Sequence, residues 1–298
     1  MHAVGEDPSA IDAILITHEH QDHVQGVAVL ARKLGVPVYF TEATHRAWMR
    51  WMMPNKRMTY AEWLAQRKEN LARSQAEAET AEAEESDDLE AIVLGGPDGP
   101  LLAIAEAAGA DDAQLEGLET ISTVACERNP CALPGVEYFV AGNEFSIGDI
   151  AITPFTIPHD AADPVGFVFN VEGIRMAMAT DLGYMPSNVK MALRNCDVLV
   201  LESNHDVEML RDGPYPWPVK QRVMSRVGHL SNDAAAEFLE KTYDGNASYI
   251  VLAHLSESNN LPELARVSAE RVLRDRMGLL ANRVLLAEQK APLESICL

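Results

Sequence analysis

The chain has 298 residues, 47% of them hydrophobic, and a formal net charge of −21 at pH 7. That length and apolar content are enough for one large core, while so acidic a balance gives no general attraction for nucleic-acid phosphates, which are bound through Lys and Arg. No run reaches the roughly 20 apolar residues of a membrane span, and the start, Met1 to Asp7, lacks the basic and apolar pattern of a signal peptide.

In chain order, Asp7-Pro8-Ser9 is a turn signal, and Ile11 to Ile16 is a mostly apolar run that reads as a buried strand. It feeds directly into Thr17-His18-Glu19-His20-Gln21-Asp22-His23, where three of the nine histidines and an aspartate fall within six residues. Neutral imidazole and carboxylate are ligands for zinc, manganese and iron. Alternate residues of an extended chain share a side, so His18, His20 and Asp22 are expected to converge and His23 to lean to the other flank. That arrangement suits two adjacent ions better than one. Val24 to Leu34 is an amphipathic helix ended by Gly35, and Pro37 to Phe40 is the next strand.

Segment 51–134 reads as an insertion, helical and mobile in its middle. Residues 60–85 are rich in helix formers, residues 77–90 are acidic without one basic residue, and Gly95 to Pro100 is a strong breaker. Further on, Phe145 to Phe155 reads as a hairpin around Ile147-Gly148-Asp149. Gly166 to Val171 and Arg175 to Met178 form a second, turning at Glu172-Gly173. Val198 to Leu201 is a buried strand, Ser231 or Asn232 caps a helix at 233–242, Leu261-Pro262 opens the last long helix, and Val284 to Ala287 is a closing strand. His45 reads as helix surface. Lys220, Arg222 and Arg226 are candidates for holding phosphates, or else an ordinary solvated face. The four cysteines, Cys126, Cys131, Cys196 and Cys297, read as free thiols of a reducing cytosol, with a Cys126–Cys131 disulfide or metal site as the alternative. A cytoplasmic location, away from membranes, is expected.

The string His-x-His-x-Asp-His after a strand resembles the signature of the metallo-β-lactamase fold, an αββα four-layer sandwich of hydrolases. The resemblance implies that His18 and His20 serve one metal, and Asp22 and His23 a second. It also implies that three strand-end residues complete the set: His159, a bridging Asp181, and His254. Leu201 to Asp206, Gly213-Pro214-Tyr215-Pro216, Gly228 to Asn232, and Ala253 to Ser256 with Asn259-Asn260 are similar to the YycJ/WalJ group within that family. That group looks like a branch of DNA exonucleases related in layout to tRNase Z. By the same resemblance Gly228-His229-Leu230-Ser231 places His229 beside Glu202, and these two, with Asp22, are the candidate catalytic residues. Lys220 and Arg222 are the candidate phosphate contacts. A single domain over 1–298 is implied, apparently lacking the first strands of the family fold, because the ligand loop already arrives by His18.

The expected activity is phosphodiester hydrolysis, most plainly by a DNA 5′-exonuclease with two divalent metal ions, zinc or manganese, iron being acceptable to the same ligands. Two other classes stay open: a small-molecule hydrolase of the same fold acting on a thioester, lactone or β-lactam, and an inactive fragment clipped at its start.

Overall fold

Alternation along short strands divides the interior. In β2 (Pro37–Phe40) every second side chain is fully enclosed. Val38 and Phe40 pack with Val27, Ala28, Ala31 and Trp48 of the overlying helices, whereas Tyr39 faces the opposite way, with Leu15, Phe139 and Phe167. The molecule, a computed structural model, is described over residues 4–53, 129–280 and 282–298.

β1 (Ile14–Leu15) and β3 (Gly135–Tyr138) run parallel to β2 in a three-stranded sheet of order β1-β2-β3. Helices α1 (Gln21–Val24), α2 (Val27–Leu34) and α3 (Glu42–Met52) follow β1 and β2. The second sheet has seven strands: β4 (Phe145–Ile147), β5 (Ile150–Thr156), β6 (Val165–Val171), β7 (Ile174–Ala179), β8 (Val198–Glu202), β9 (Tyr249–Ala253) and β10 (Arg283–Leu286). β4 to β7 are antiparallel neighbours, and β7 to β10 run parallel.

The helices between these strands are α4 (Ser187–Ala192), α5 (Val207–Asp212), α6 (Trp217–Val223), α7 (Asn232–Lys241) and α8 (Pro262–Leu280). On the outer face of this sheet Leu199, Leu201, Ile250 and Leu252 meet Val189 of α4, Leu239 of α7 and Ala265 of α8. Its inner face supplies Ile152, Val165 and Phe167 to the core between the sheets. The described residues thus form four layers, helix, sheet, sheet, helix, as expected.

Most local expectations hold. The β6–β7 hairpin turns at Glu172 and Gly173, at φ 51° and 84°. Two successive positive φ values match the right-handed twist of the flanking strands. Ser231 caps α7 by accepting from the Ala234 N–H.

Three expectations need correction. The first strand is shorter than Ile11 to Ile16, because Pro8–Ala10 form a 3₁₀ turn and only Ile14 and Leu15 pair with β2. The helix expected over Val24 to Leu34 is broken, because Gly26 adopts φ 83° between α1 and α2. His45 is not on the surface: it is buried, packs its ring against those of Phe40 and Trp48, and its Nδ1 lies 2.7 Å from the Tyr138 hydroxyl. Of the insertion expected at 51–134, residues 51–53 finish and cap α3 and 129–134 lead into β3, and the rest, with Cys126, lies outside the described residues. No helix among the described residues is long and apolar enough to cross a membrane.

Candidate metal centre

The C-terminal ends of β1, β5, β7, β8 and β9 bring every expected ligand to one place. His20 is the N-cap of α1, at φ −63° and ψ 150°. The segment is therefore extended through His18 and His20 and helical through Asp22 and His23. This corrects the expectation from alternation that Asp22 converges with His18 and His20: those two group with His159, whereas Asp22 joins His23 and His254. Within each trio the ligating atoms lie within 4.8 Å of one another, and so do those of His18, His23 and Asp181.

Asp181 stands between the trios. Its Oδ1 is 3.8 Å from His159 Nε2 and 3.6 Å from His254 Nε2, and its Oδ2 is 3.3 Å from His23 Nε2. Asp181 and His254 both adopt left-handed backbone, at φ 62° and 56°. Non-glycine residues pay for that conformation, and such strain is concentrated at functional sites.

The hydrogen bonds engage one ring nitrogen of each histidine and leave the other toward the cluster. One hydroxyl, Thr17 Oγ1, lies 3.1 Å from His18 Nδ1 and 3.0 Å from His23 Nδ1. An oxygen with two lone pairs can accept from both, which leaves Nε2 of each ring for a ligand. His159 directs Nδ1 to the Gly228 carbonyl at 3.1 Å, and His20 directs Nε2 to the Asp160 carbonyl at 3.2 Å. Their free nitrogens, His159 Nε2 and His20 Nδ1, face each other at 3.1 Å.

His18 Nε2 and Asp181 Oδ2 are buried without a hydrogen bond, the His23 neighbour of Asp181 notwithstanding. Unpaired polar atoms in the interior are costly, and converging lone pairs are what a cation satisfies. Burial, together with His23, His20 and His159, pushes the His18 imidazole down to about 2, so it remains a neutral donor. Imidazole nitrogens with carboxylate oxygens and no thiolate suit zinc, manganese or iron. The residues present fit two such ions.

Glu202 holds the frame. Fully buried, it accepts from Nδ1 of His229 (2.9 Å) and of His254 (2.8 Å) on Oε1, and from the Leu182 and Leu230 N–H groups on Oε2. Burial alone would raise this carboxyl; hydrogen bonds from His229 and His254 reverse that and hold it well below the usual carboxylate range. Glu202, His229, His254 and Asp181 also lie within 4.8 Å of one another. With four N–H donors on its two oxygens, Glu202 has no lone pair directed at an ion, so this quartet is a hydrogen-bonded frame.

The expected phosphate contacts divide. Arg222 forks onto the Asp160 carboxylate, with Nη2 3.0 Å from Oδ1, and lines the cleft beside His229 and His254. Lys220 does not fit the expectation: it is buried, and its Nζ donates to the Arg211 and Gly213 carbonyls at 2.7 and 2.8 Å, closing the end of α5. Asp160 serves His20 through its main-chain carbonyl, and the Gly228 carbonyl rather than Asp160 orients His159. His205 is buried, and its carbonyl accepts from the Asn232 N–H.

Thr17, and the Gly228 carbonyl, were not singled out beforehand; their roles depend on contacts that residue type does not announce. Thr17→Val keeps the shape and removes the acceptor for two rings. It is expected to weaken metal binding about 10- to 100-fold, the usual cost of losing a group that orients a ligand, as read by competition with a chromogenic chelator. A Cβ on Gly228 would come within 2.2 Å of the Val223 carbonyl. Gly228→Ala must therefore displace the carbonyl on His159 and the adjacent His229, and a fall in metal affinity of about 10-fold or more is expected. Unchanged affinity would show that His159 is held otherwise.

Residues 105–255 match the family model described as the beta-lactamase superfamily domain, and residues 1–104 match that of the metallo-beta-lactamase superfamily. The chain is 30% identical to the exodeoxyribonuclease YycJ of Bacillus anthracis, over 89% of this chain and 72% of that protein. It is 31% identical to the exodeoxyribonuclease WalJ of Streptococcus pneumoniae, over 89% of this chain and 71% of that one. Among solved structures, the metallo-beta-lactamase fold protein YhfI of Bacillus subtilis superposes with a TM-score of 0.51 at 14% identity, covering 95% of this chain and 78% of that one, a likeness of fold.

Proposed function

We propose that this chain, a metallo-hydrolase that belongs to the metallo-β-lactamase superfamily, cleaves phosphodiester bonds of DNA as a 5′-exonuclease at a centre of two divalent ions, zinc or manganese. The observation that carries the reading is Asp181 placed between two ligand trios, beside an imidazole backed by a buried carboxylate. In-line displacement at phosphorus calls for charge stabilisation on both the attacking and the leaving oxygen, and for a proton on the latter.

His18, His20 and His159 would hold one ion, Asp22, His23 and His254 the other, and Asp181 both. When bound, the ions supply Lewis acidity toward the phosphate and lower the pKa of water. The chain's own residues do the rest. His229, with Nδ1 on Glu202, presents Nε2 to the cleft and is the proton donor to the departing oxygen. The Glu202 carboxylate orients the ring through that hydrogen bond. Arg222, fixed by Asp160, faces the phosphate. The names of the two exodeoxyribonuclease relatives support DNA as the substrate.

The test is a substrate panel on chain loaded with zinc or manganese. It sets linear DNA labelled at either end against a thioester, a lactone and a β-lactam. Release of label from the 5′ end is expected. Turnover of a thioester or lactone with DNA untouched would replace this reading by a small-molecule hydrolase.

A further inference from the structure

An open cleft of about 620 Å³ adjoins the ligand cluster, with Asp22, His229 and His254 on its near side. The rest of its lining comes from Asn204 after β8, the segment around α6, the loop after β9, and the stretch after β10. The charges there are unevenly placed. Arg222 is the cation, whereas Glu257 and Glu288 line the other part, Glu257 pairing with Lys290 at 2.9 Å. The lining is more polar than apolar; its apolar members are Tyr215, Val219, Val223, Leu255 and Ala287, of which Tyr215 alone is aromatic. Tyr215 is half-buried and has neither a ring contact nor a hydrogen bond among the described residues.

A phosphate that reaches His229 and His254 has Arg222 beside it. Toward Glu257 and Glu288 a second phosphate meets no lining cation, Lys290 being paired with Glu257 and Glu288 opposing it, so what extends into the cleft from the reacting phosphate is the uncharged part of a nucleotide. A single aromatic ring with an unoccupied face suits a base of any identity, since every base has a π-face.

We infer that this cleft seats the nucleoside next to the scissile phosphate and that Tyr215 is the platform on which its base stacks. This assignment rests on the DNA reading above. The loss of one such stack corresponds to roughly 10- to 100-fold in KM.

The test uses the full chain loaded with manganese, wild type and the variants Tyr215→Ala and Tyr215→Phe. Two oligonucleotides are compared, one intact and one lacking the base beside the cleaved bond. Tyr215→Ala is expected to raise KM on the intact strand about 10-fold or more while kcat moves less, and Tyr215→Phe to restore it. On the abasic strand wild type and Tyr215→Ala should coincide, because the stack is already absent. A loss of equal size on both strands, or none on the intact strand, overturns the assignment of Tyr215 while leaving DNA as the substrate. A wild-type chain that cleaves neither strand overturns the DNA reading, and the subsite with it.

Discussion

Asp181→Asn is expected to lower turnover of a phosphodiester by about 10³-fold, the equivalent of several kcal/mol of transition-state stabilisation. The purified chain should also carry less bound metal. Asparagine is suited to this position because, with aspartate, it is among the few residues that tolerate left-handed backbone, and Asp181 sits at φ 62°. The fold and the turn into Leu182 should therefore persist, with an unchanged circular dichroism spectrum. What is lost is one ligating oxygen and the charge. Asp181 Oδ1 faces His159, His229 and His254, and Oδ2 faces His23. A carboxamide offers an oxygen to one group and an NH₂ to the other, and the NH₂ cannot ligate. Metal content by elemental analysis, set beside kcat, checks the prediction. A variant that retains both would mean that Asp181 bridges nothing.

Glu202→Gln should cost both activity and stability. The two oxygens of Glu202 receive two imidazole N–H groups on one side and two main-chain N–H groups on the other. Glutamine can accept on one side only. If its NH₂ meets Leu182 and Leu230, two buried donors are stranded, each costing about 1–3 kcal/mol. If it meets the histidines, both must accept at Nδ1 and carry the proton on Nε2. His254 would then be unable to ligate, and His229 would lose the carboxylate that orients its ring. Either way a loss of about 3–5 kcal/mol in unfolding free energy is expected, as for breaking a buried charge pair, with kcat/KM down by about 100-fold or more. Denaturant unfolding measures the first and steady-state kinetics the second. Wild-type stability in this variant would contradict the fourfold acceptance by Glu202.

Much of the architecture was legible because it is written locally. Glu172-Gly173 between two apolar runs calls for a two-residue hairpin, and Ser231 before a helix-forming stretch calls for a cap; both occur. His45 was misread because nothing in its neighbours shows that Tyr138, 93 residues away, offers a hydroxyl to it. Lys220 was misread for a similar reason. A lysine near a cluster of basic residues looks like a phosphate contact, but its stem is buried and two carbonyls at the end of α5 take up its ammonium.

By itself the sequence determined the kinds of ligand, their order, and their places at strand ends. These follow from residue type and from apolar runs that must be buried. Only the tertiary structure overturned the grouping that alternation predicts, with Asp22 beside His18 and His20. The helical turn at Gln21–Val24 takes Asp22 to His23 and His254 while the His23 ring stays 4.1 Å from that of His18, and sheet order brings His20 within 3.1 Å of His159, 139 residues on. It also decided which nitrogen of each ring is free, through Thr17, Gly228 and Glu202. Those hydrogen bonds cross between elements distant in sequence, so they are set by strand order and register, and no local pattern records them.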